Sequence, residues 1–178
     1  ADLFERVVDR VGTREAIVAG EDRSSYVDLD RRANQVAHLL ASLGVGPGDR
    51  VGIALRNGPE HLEALLGAYK LRAVPFNVNY RYVDEELVYL LNNASTRAIV
   101  YHAEFAPRLA AIRAQVPTLE HLIQVQDQSD EPLLPGAVEY ESALAGASAE
   151  RPALEWSPDD LYILYTGGTT GMPKGVLW

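Results

Sequence analysis

Residues 165–175 read Tyr165-Thr166-Gly167-Gly168-Thr169-Thr170-Gly171-Met172-Pro173-Lys174-Gly175. Three threonines, four glycines and one lysine stand within residues 166–175. Glycine lets the backbone turn its N–H groups inward and lets a ligand approach closely. Successive inward N–H groups form a concave anion site. Threonine hydroxyls can donate to phosphate oxygens or coordinate Mg2+, and lysine adds a positive point charge. The chemistry this combination could do is to cradle a polyphosphate, with Thr166, Gly167, Gly168, Thr169, Thr170, Gly171 and Lys174 as binding residues. Thr169 and Thr170 are the candidate Mg2+ contacts, and Lys174 is the candidate catalytic charge. The bland alternative is an ordinary surface turn, which has a similar composition.

A Walker A loop, G-x-x-x-x-G-K-[ST], does not fit this stretch. Lys174 follows Pro173 rather than glycine, and Gly175 stands where serine or threonine should be. Pro173 also disfavours helix at Met172. The segment is therefore expected to hold phosphates with loop backbone and side chains, not with a helix N-terminus. A lysine here is unusual for this chain, because Lys70 and Lys174 are the only lysines among 16 basic residues.

Other polar residues carry weaker signals. His38 and His61 fall within expected helices and His121 within an expected strand, without the paired spacing of a zinc site. Asn77, Asn79 and Arg81 could line a substrate region, but turn chemistry explains the asparagines equally well. Ser24 and Ser25 lack the glycine elbow of a nucleophile. Trp156 and Trp178 read as packing residues.

The elements that must position the loop are legible as patterns. Leu3, Val7, Val8 and Val11 have helical spacing, and Glu15–Ala19 with Ser24–Val27 suggest a hairpin. Asp28 is the expected N-cap of a helix through Leu43, with Leu29, Ala33, Val36, Leu40 and Leu43 in one apolar stripe. Arg50–Leu55 is a nearly continuous apolar run, which suits a strand buried on both faces. Pro59 opens the next helix, with Leu62, Leu65, Leu66 and Tyr69 expected inside. Strands follow at 73–76, 97–101 and 121–125, with helices at 84–91, capped by Asp84, and 103–116. A strand-like run at 161–164 leads into the glycine loop. This alternation indicates an α/β fold with a mainly parallel sheet flanked by helices, in which ligands bind beyond the carboxyl ends of strands.

At 178 residues the chain is long enough for one domain, burying roughly 70% of its unfolded surface. It has no cysteine, which excludes disulfides and thiolate chemistry and suits a cytoplasmic protein. No apolar run approaches the ~20 residues of a membrane span. The net charge of −9 argues against nucleic acid as a partner. Residues 127–160 hold nine acids and one arginine, and read as an acidic, proline-containing connecting segment with a solvated face. One short helix near 138–145 is the regular structure expected there.

The pattern Y-T-[SG]-G-T-T-G-x-P-K-G at 165–175 resembles the phosphate-binding signature of the adenylate-forming (AMP-binding) superfamily. That superfamily includes acyl-CoA synthetases, peptide-synthetase adenylation domains and beetle luciferases. Gly167 stands where serine is usual, a variant similar to that of bacterial fatty-acyl-CoA synthetases. Ser25–Leu29, Leu43–Val51 and Val74–Arg81 resemble family segments in the same order.

The resemblance implies that residues 1–178 are an incomplete N-terminal portion of the family's large domain, inactive alone. It implies ATP-dependent activation of a fatty or related carboxylic acid to an acyl-adenylate and then to acyl-CoA. ATP, Mg2+ and coenzyme A would take part, with a homodimer as the full-length assembly. The loop at 165–175 would hold the β- and γ-phosphates, and the family's adenine pocket and catalytic lysine would lie C-terminal to it. An amino-acid adenylation domain, a luciferase-like enzyme and a non-catalytic nucleotide-binding module are the alternatives.

Overall fold

The computed structural model describes residues 1–166 and 172–178; Gly167, Gly168, Thr169, Thr170 and Gly171 lie outside the described residues. Among the described residues the chain runs α1 (Asp2–Val11), β1 (Glu15–Ala19), β2 (Asp22–Ser25), α2 (Tyr26–Ser42), β3 (Arg50–Ala54), α3 (Pro59–Lys70) and β4 (Val74–Asn77). It continues with α4 (Asp84–Asn93), β5 (Thr96–His102), α5 (Ala106–Ile112), β6 (His121–Val125), β7 (Ala137–Glu139), α6 (Tyr140–Ala145), β8 (Ile163–Thr166) and β9 (Lys174–Leu177). Strands β1 and β2 form a separate hairpin, and the other seven form one sheet in the order β7-β6-β5-β3-β4-β8-β9. Every neighbouring pair in that sheet is parallel except β8–β9. The expected mainly parallel α/β sheet is therefore present, with an antiparallel edge formed by β8 and β9.

Alternation along the central strands builds two cores. Val51 and Ile53 of β3, with Ala98 and Val100 of β5, join α2, α3 and α6 on one face. Ile99 and Tyr101 of β5, with Phe76 of β4, join α4 and α5 on the other. Helices thus cover both faces, which is why Val51–Ala54 of β3 and Ala98–Tyr101 of β5 are buried runs rather than alternating.

Several boundaries differ from the sequence expectation for local reasons. Helix α2 is capped by Ser25, not Asp28: Ser25 Oγ accepts from the Asp28 N–H at 3.2 Å, and the Asp28 carboxylate accepts from the Ser25 N–H at 3.2 Å. This reciprocal pair is a capping box, and it places Asp28 inside the first turn. Val83, not Asp84, is the N-cap of α4, and Glu86 accepts its N–H at 3.0 Å. The expected helix over 103–116 is α5 flanked by 3-10 turns at Ala103–Phe105 and Arg113–Gln115. Pro107 lacks the N–H that a continuous helix would need there, so it sits in the first turn of α5.

The buried face of α3 departs from the expected leucine face, of which Leu65 packs partly buried against the core. Glu63, Ala64, Gly67, Ala68 and Lys70 are buried, whereas Leu62 is exposed. Small residues let α3 approach α2 closely, and the buried charges are paired. Lys70 is fully buried beside Glu5 of α1 and lies 2.8 Å from Asp30 of α2. Arg151 reaches Asp30 at 3.1 Å and Asp9 at 2.8 Å, tying the late chain to the first two helices.

The acidic stretch, none of whose carboxylates is buried, carries more regular structure than the one expected helix. It contributes strand β7, parallel to β6, ahead of the expected helix. Asp127 accepts from the Glu104 and Ser129 N–H groups, and Glu139 accepts from those of Glu141 and Ser142 at the start of α6. Glu141 pairs with Arg32, and Asp160 with Arg72. No described helix is long and apolar enough to cross a membrane.

Candidate functional site

Strand β8 lies beside β4 in parallel, with Phe76 opposite Ile163, so its carboxyl end shares a sheet edge with those of β3, β4, β5 and β6. Ile163 and Tyr165 point into the core that holds Phe76. The Tyr165 hydroxyl donates to Asn93 Oδ1 of α4 at 2.8 Å, and its ring meets the Phe76 ring edge-on at 5.6 Å. Burial pushes the Tyr165 phenol above its ordinary range, with Tyr89 adding to the rise and Arg50 opposing it.

Strand β9 runs back against β8 with Tyr165 opposite Gly175 and Thr166 opposite Lys174. Thr166 Oγ1 lies 3.4 Å from the Lys174 carbonyl oxygen, to which it donates. Both side chains are exposed. Lys174 is thus a strand residue rather than part of the loop, and Thr166 stands across from it at the loop mouth. Of the other sequence-assigned phosphate and Mg2+ residues, Gly167, Gly168, Thr169, Thr170 and Gly171 lie outside the described residues. Met172 is exposed and Pro173 buried where the chain re-enters β9.

The same edge carries a second group of polar side chains, of which the sequence reading raised only Arg81 and His61. Arg56, just after β3, pairs with Glu104, its Nη2 donating to Oε2 at 2.7 Å, and its backbone N–H donates to His102 Nδ1 at 3.0 Å. The Arg56 and Arg81 guanidinium groups both lie over the Tyr80 ring, at 5.0 and 5.6 Å from its centre. Hydrogen bonding to Arg56 holds the Glu104 carboxyl below its usual range. Burial lowers the His61 imidazole, opposed by the Leu55 backbone and reinforced by His102. Each residue of this group apart from His61 ends a strand or follows one within a few positions, the one signal that could have found it. Asn79 accepts from the Arg81 N–H at 3.0 Å, so it is a turn residue. Trp178, expected to pack, is exposed at the end of an edge strand. Among the described residues no cluster of three or more His, Asp or Glu could hold a metal ion.

Among the described residues, Thr166 and Lys174 pair across β8 and β9, with β8 parallel to β4 and their side chains exposed. The family model described as AMP-binding enzyme matches residues 4–178. This chain belongs to the AMP-binding enzyme family. It is 48% identical over 189 residues to the medium-chain acyl-CoA ligase Mig of Mycobacterium avium, covering 99% of this chain and 34% of that protein. It is 43% identical over 179 residues to a 3-oxocholest-4-en-26-oate–CoA ligase of Rhodococcus rhodochrous, covering 100% of this chain and 32% of that protein. Among solved structures, the anthranilate CoA ligase AuaEII in complex with anthranoyl-AMP superposes with a TM-score of 0.91 at 26% identity, over 99% of this chain and 33% of that one. The chain spans about a third of the length of the curated relatives it matches.

Proposed function

We propose that this chain is the phosphate-holding part of an ATP-dependent acyl-CoA ligase. In the first step a carboxylate oxygen attacks the α-phosphorus of ATP. The bond to the bridging oxygen breaks, releasing pyrophosphate and leaving an acyl-adenylate. In the second step the coenzyme A thiolate attacks the acyl carbon, and AMP leaves. The substrate class is a fatty or related carboxylic acid, the acceptor is coenzyme A, and the setting is the cytoplasm, with a homodimer as the assembly.

The residues of this chain act in the first step. Residues 165–175 hold the β- and γ-phosphates, the part that departs as pyrophosphate. Lys174 offsets the charge that accumulates there. At 4 Å and an effective dielectric of ~20 such a contact contributes on the order of 4 kcal/mol before desolvation. Thr166, Thr169 and Thr170 donate hydroxyls, and the N–H groups of Gly167, Gly168 and Gly171 complete the cradle. Threonine oxygens are hard donors that suit Mg2+, which supplies further charge neutralisation when bound with the triphosphate.

The observation that carries this reading is the pairing of Thr166 with Lys174 across the mouth of a glycine-threonine loop at the carboxyl edge of the sheet. The names of the relatives, two of them CoA ligases acting on carboxylic acids, support the acid and the acceptor. The test supplies the full-length ligase with MgATP, coenzyme A and a series of fatty acids. Formation of acyl-CoA with AMP and pyrophosphate in equal amounts supports the reading. Release of ADP and phosphate, or exchange driven by amino acids in place of fatty acids, contradicts it.

A further inference from the structure

Tyr165 and Gly175 face each other one rung below Thr166 and Lys174. A Cβ built on Gly175 would stand 3.0 Å from Tyr165 Cζ, 3.1 Å from Cε1 and 3.3 Å from Ile163 Cγ2. The tyrosine ring therefore lies across the glycine, in space that any other residue would need. The ring is fixed from the opposite side as well: its hydroxyl is bonded to Asn93 of α4 and its edge meets Phe76 of β4. Side chains alternate along a strand, so Thr166 and Lys174 project to the face away from this contact. Among the described residues, strand β9 has β8 as its one neighbour in the sheet. The position of β9, and with it the Lys174 side chain, is set by what β8 presents to it.

We propose that Tyr165 is a positioning residue for the phosphate loop. Its ring, held by Asn93 and Phe76 and seated on Gly175, fixes the strand pair from which Thr166 and Lys174 project. The proposal rests on the reading of Lys174 as a phosphate contact and adds a specific support for it. Misplacement by about 1 Å at a reacting centre can cost ~10²-fold in rate, so a modest displacement of β9 is enough to be read. The effect is confined to adenylation, because pyrophosphate has departed before the thiol reacts.

The test measures two half-reactions in the full-length ligase: pyrophosphate–ATP exchange, and acyl transfer to coenzyme A from supplied acyl-adenylate. Gly175→Ala forces the ring and β9 apart and is expected to slow exchange roughly 10- to 100-fold, with acyl transfer within about twofold. Tyr165→Phe keeps the ring and removes its anchor. It is expected to raise the KM for ATP about threefold, as loss of one hydrogen bond does. Asn93→Ala should do the same, and the double variant should add nothing to either, as partners in one contact behave.

Equal losses in both half-reactions for Gly175→Ala would mean general damage and overturn the proposal. So would an unchanged KM for ATP in the exchange reaction of Tyr165→Phe and Asn93→Ala, a comparison that survives if Gly175→Ala does not fold. Lys174→Ala serves as the reference. If it slows exchange and the Tyr165 and Gly175 variants do not, the positioning role alone fails. If Lys174→Ala itself has no effect, the phosphate-loop reading fails with it.

Discussion

Gly67 of α3 lies against Val36 of α2 so closely that a Cβ on it would stand 2.6 Å from Val36 Cβ and Cγ1 and 3.0 Å from the Ala33 carbonyl oxygen. The backbone oxygen cannot move aside without shifting a helix that is buried along this side. Gly67→Ala would ordinarily strengthen a helix by about 1 kcal/mol. Here overpacking should outweigh that, for a net loss of about 1–3 kcal/mol in urea unfolding. Combining it with Val36→Ala should give a smaller loss than the sum of the two. Full additivity would contradict the contact.

Beside that contact Glu63 is buried, accepting from the Tyr140 hydroxyl at 2.8 Å and from Arg32 Nε at 3.1 Å. Arg32 also binds Glu141 and lies over the Tyr140 ring, so α2, α3 and α6 meet at one carboxylate. Burial, with Glu63 beside it, pushes the Tyr140 phenol well above its usual range. Tyr140→Phe removes one bond to a charged acceptor and should cost about 1.5–3 kcal/mol. Arg32→Ala leaves the buried carboxylate without its cation and should cost about 3–5 kcal/mol. Denaturant unfolding of both variants checks the order; a milder effect for Arg32→Ala would contradict it.

The parts of this fold that the sequence reveals are those governed by local pattern. The stripe of Leu29, Ala33, Val36 and Leu40 is buried in α2, and the apolar run after Arg50 is a central strand. The buried face of α3 was hidden because its partners are distant. Glu63 meets residues 31 and 77 positions away, and charges with such partners look solvated in a linear reading. Strand β7 has three residues, too few to show alternation. Ser25-x-x-Asp28 did carry the spacing of a capping box, and the competing reading of Asp28 as cap took one half of the pair for the whole. At the candidate site, the glycine-threonine pattern was legible. The antiparallel register that places Lys174 across from Thr166 was not, since it depends on where β9 joins the sheet.

Acid should destabilise the fold through identifiable carboxylates. Ser25 hydrogen bonds hold Asp28 below the ordinary 3.8, and the Arg56 bond holds Glu104 below the ordinary 4.5. Asp127 and Glu139 are also lowered, burial being outweighed by the N–H and hydroxyl donors around them. A depressed folded-state value means stability that is full above the ordinary carboxylate range and is lost as pH falls through it and below. Unfolding followed between pH 6 and pH 2, roughly that window, should show this loss, with a shallower slope in Glu104→Gln. On the alkaline side, burial and the neighbouring Tyr162 push Tyr69 up to about 12. That contribution is full below the ordinary 10.0 and lost as pH rises toward the folded value.

Gly167 stands where the resembling signature usually has serine. If the phosphates are held by several donors at once, adding one hydroxyl there should be tolerated. Gly167→Ser in the full-length ligase is expected to leave pyrophosphate–ATP exchange within about threefold, less than one net hydrogen bond. A loss of 10²-fold or more, the scale of losing a preorganised donor, would show that the aligned loop is not used in this way.

The most direct test of the account is Lys174→Ala in the full-length ligase, read by pyrophosphate–ATP exchange with a saturating fatty acid. Loss of one preorganised charge at the departing phosphates predicts exchange slowed roughly 10²–10³-fold. Acyl transfer from supplied acyl-adenylate should be nearly intact. An exchange rate equal to that of the unaltered enzyme would contradict the role of Lys174 and of the loop it closes.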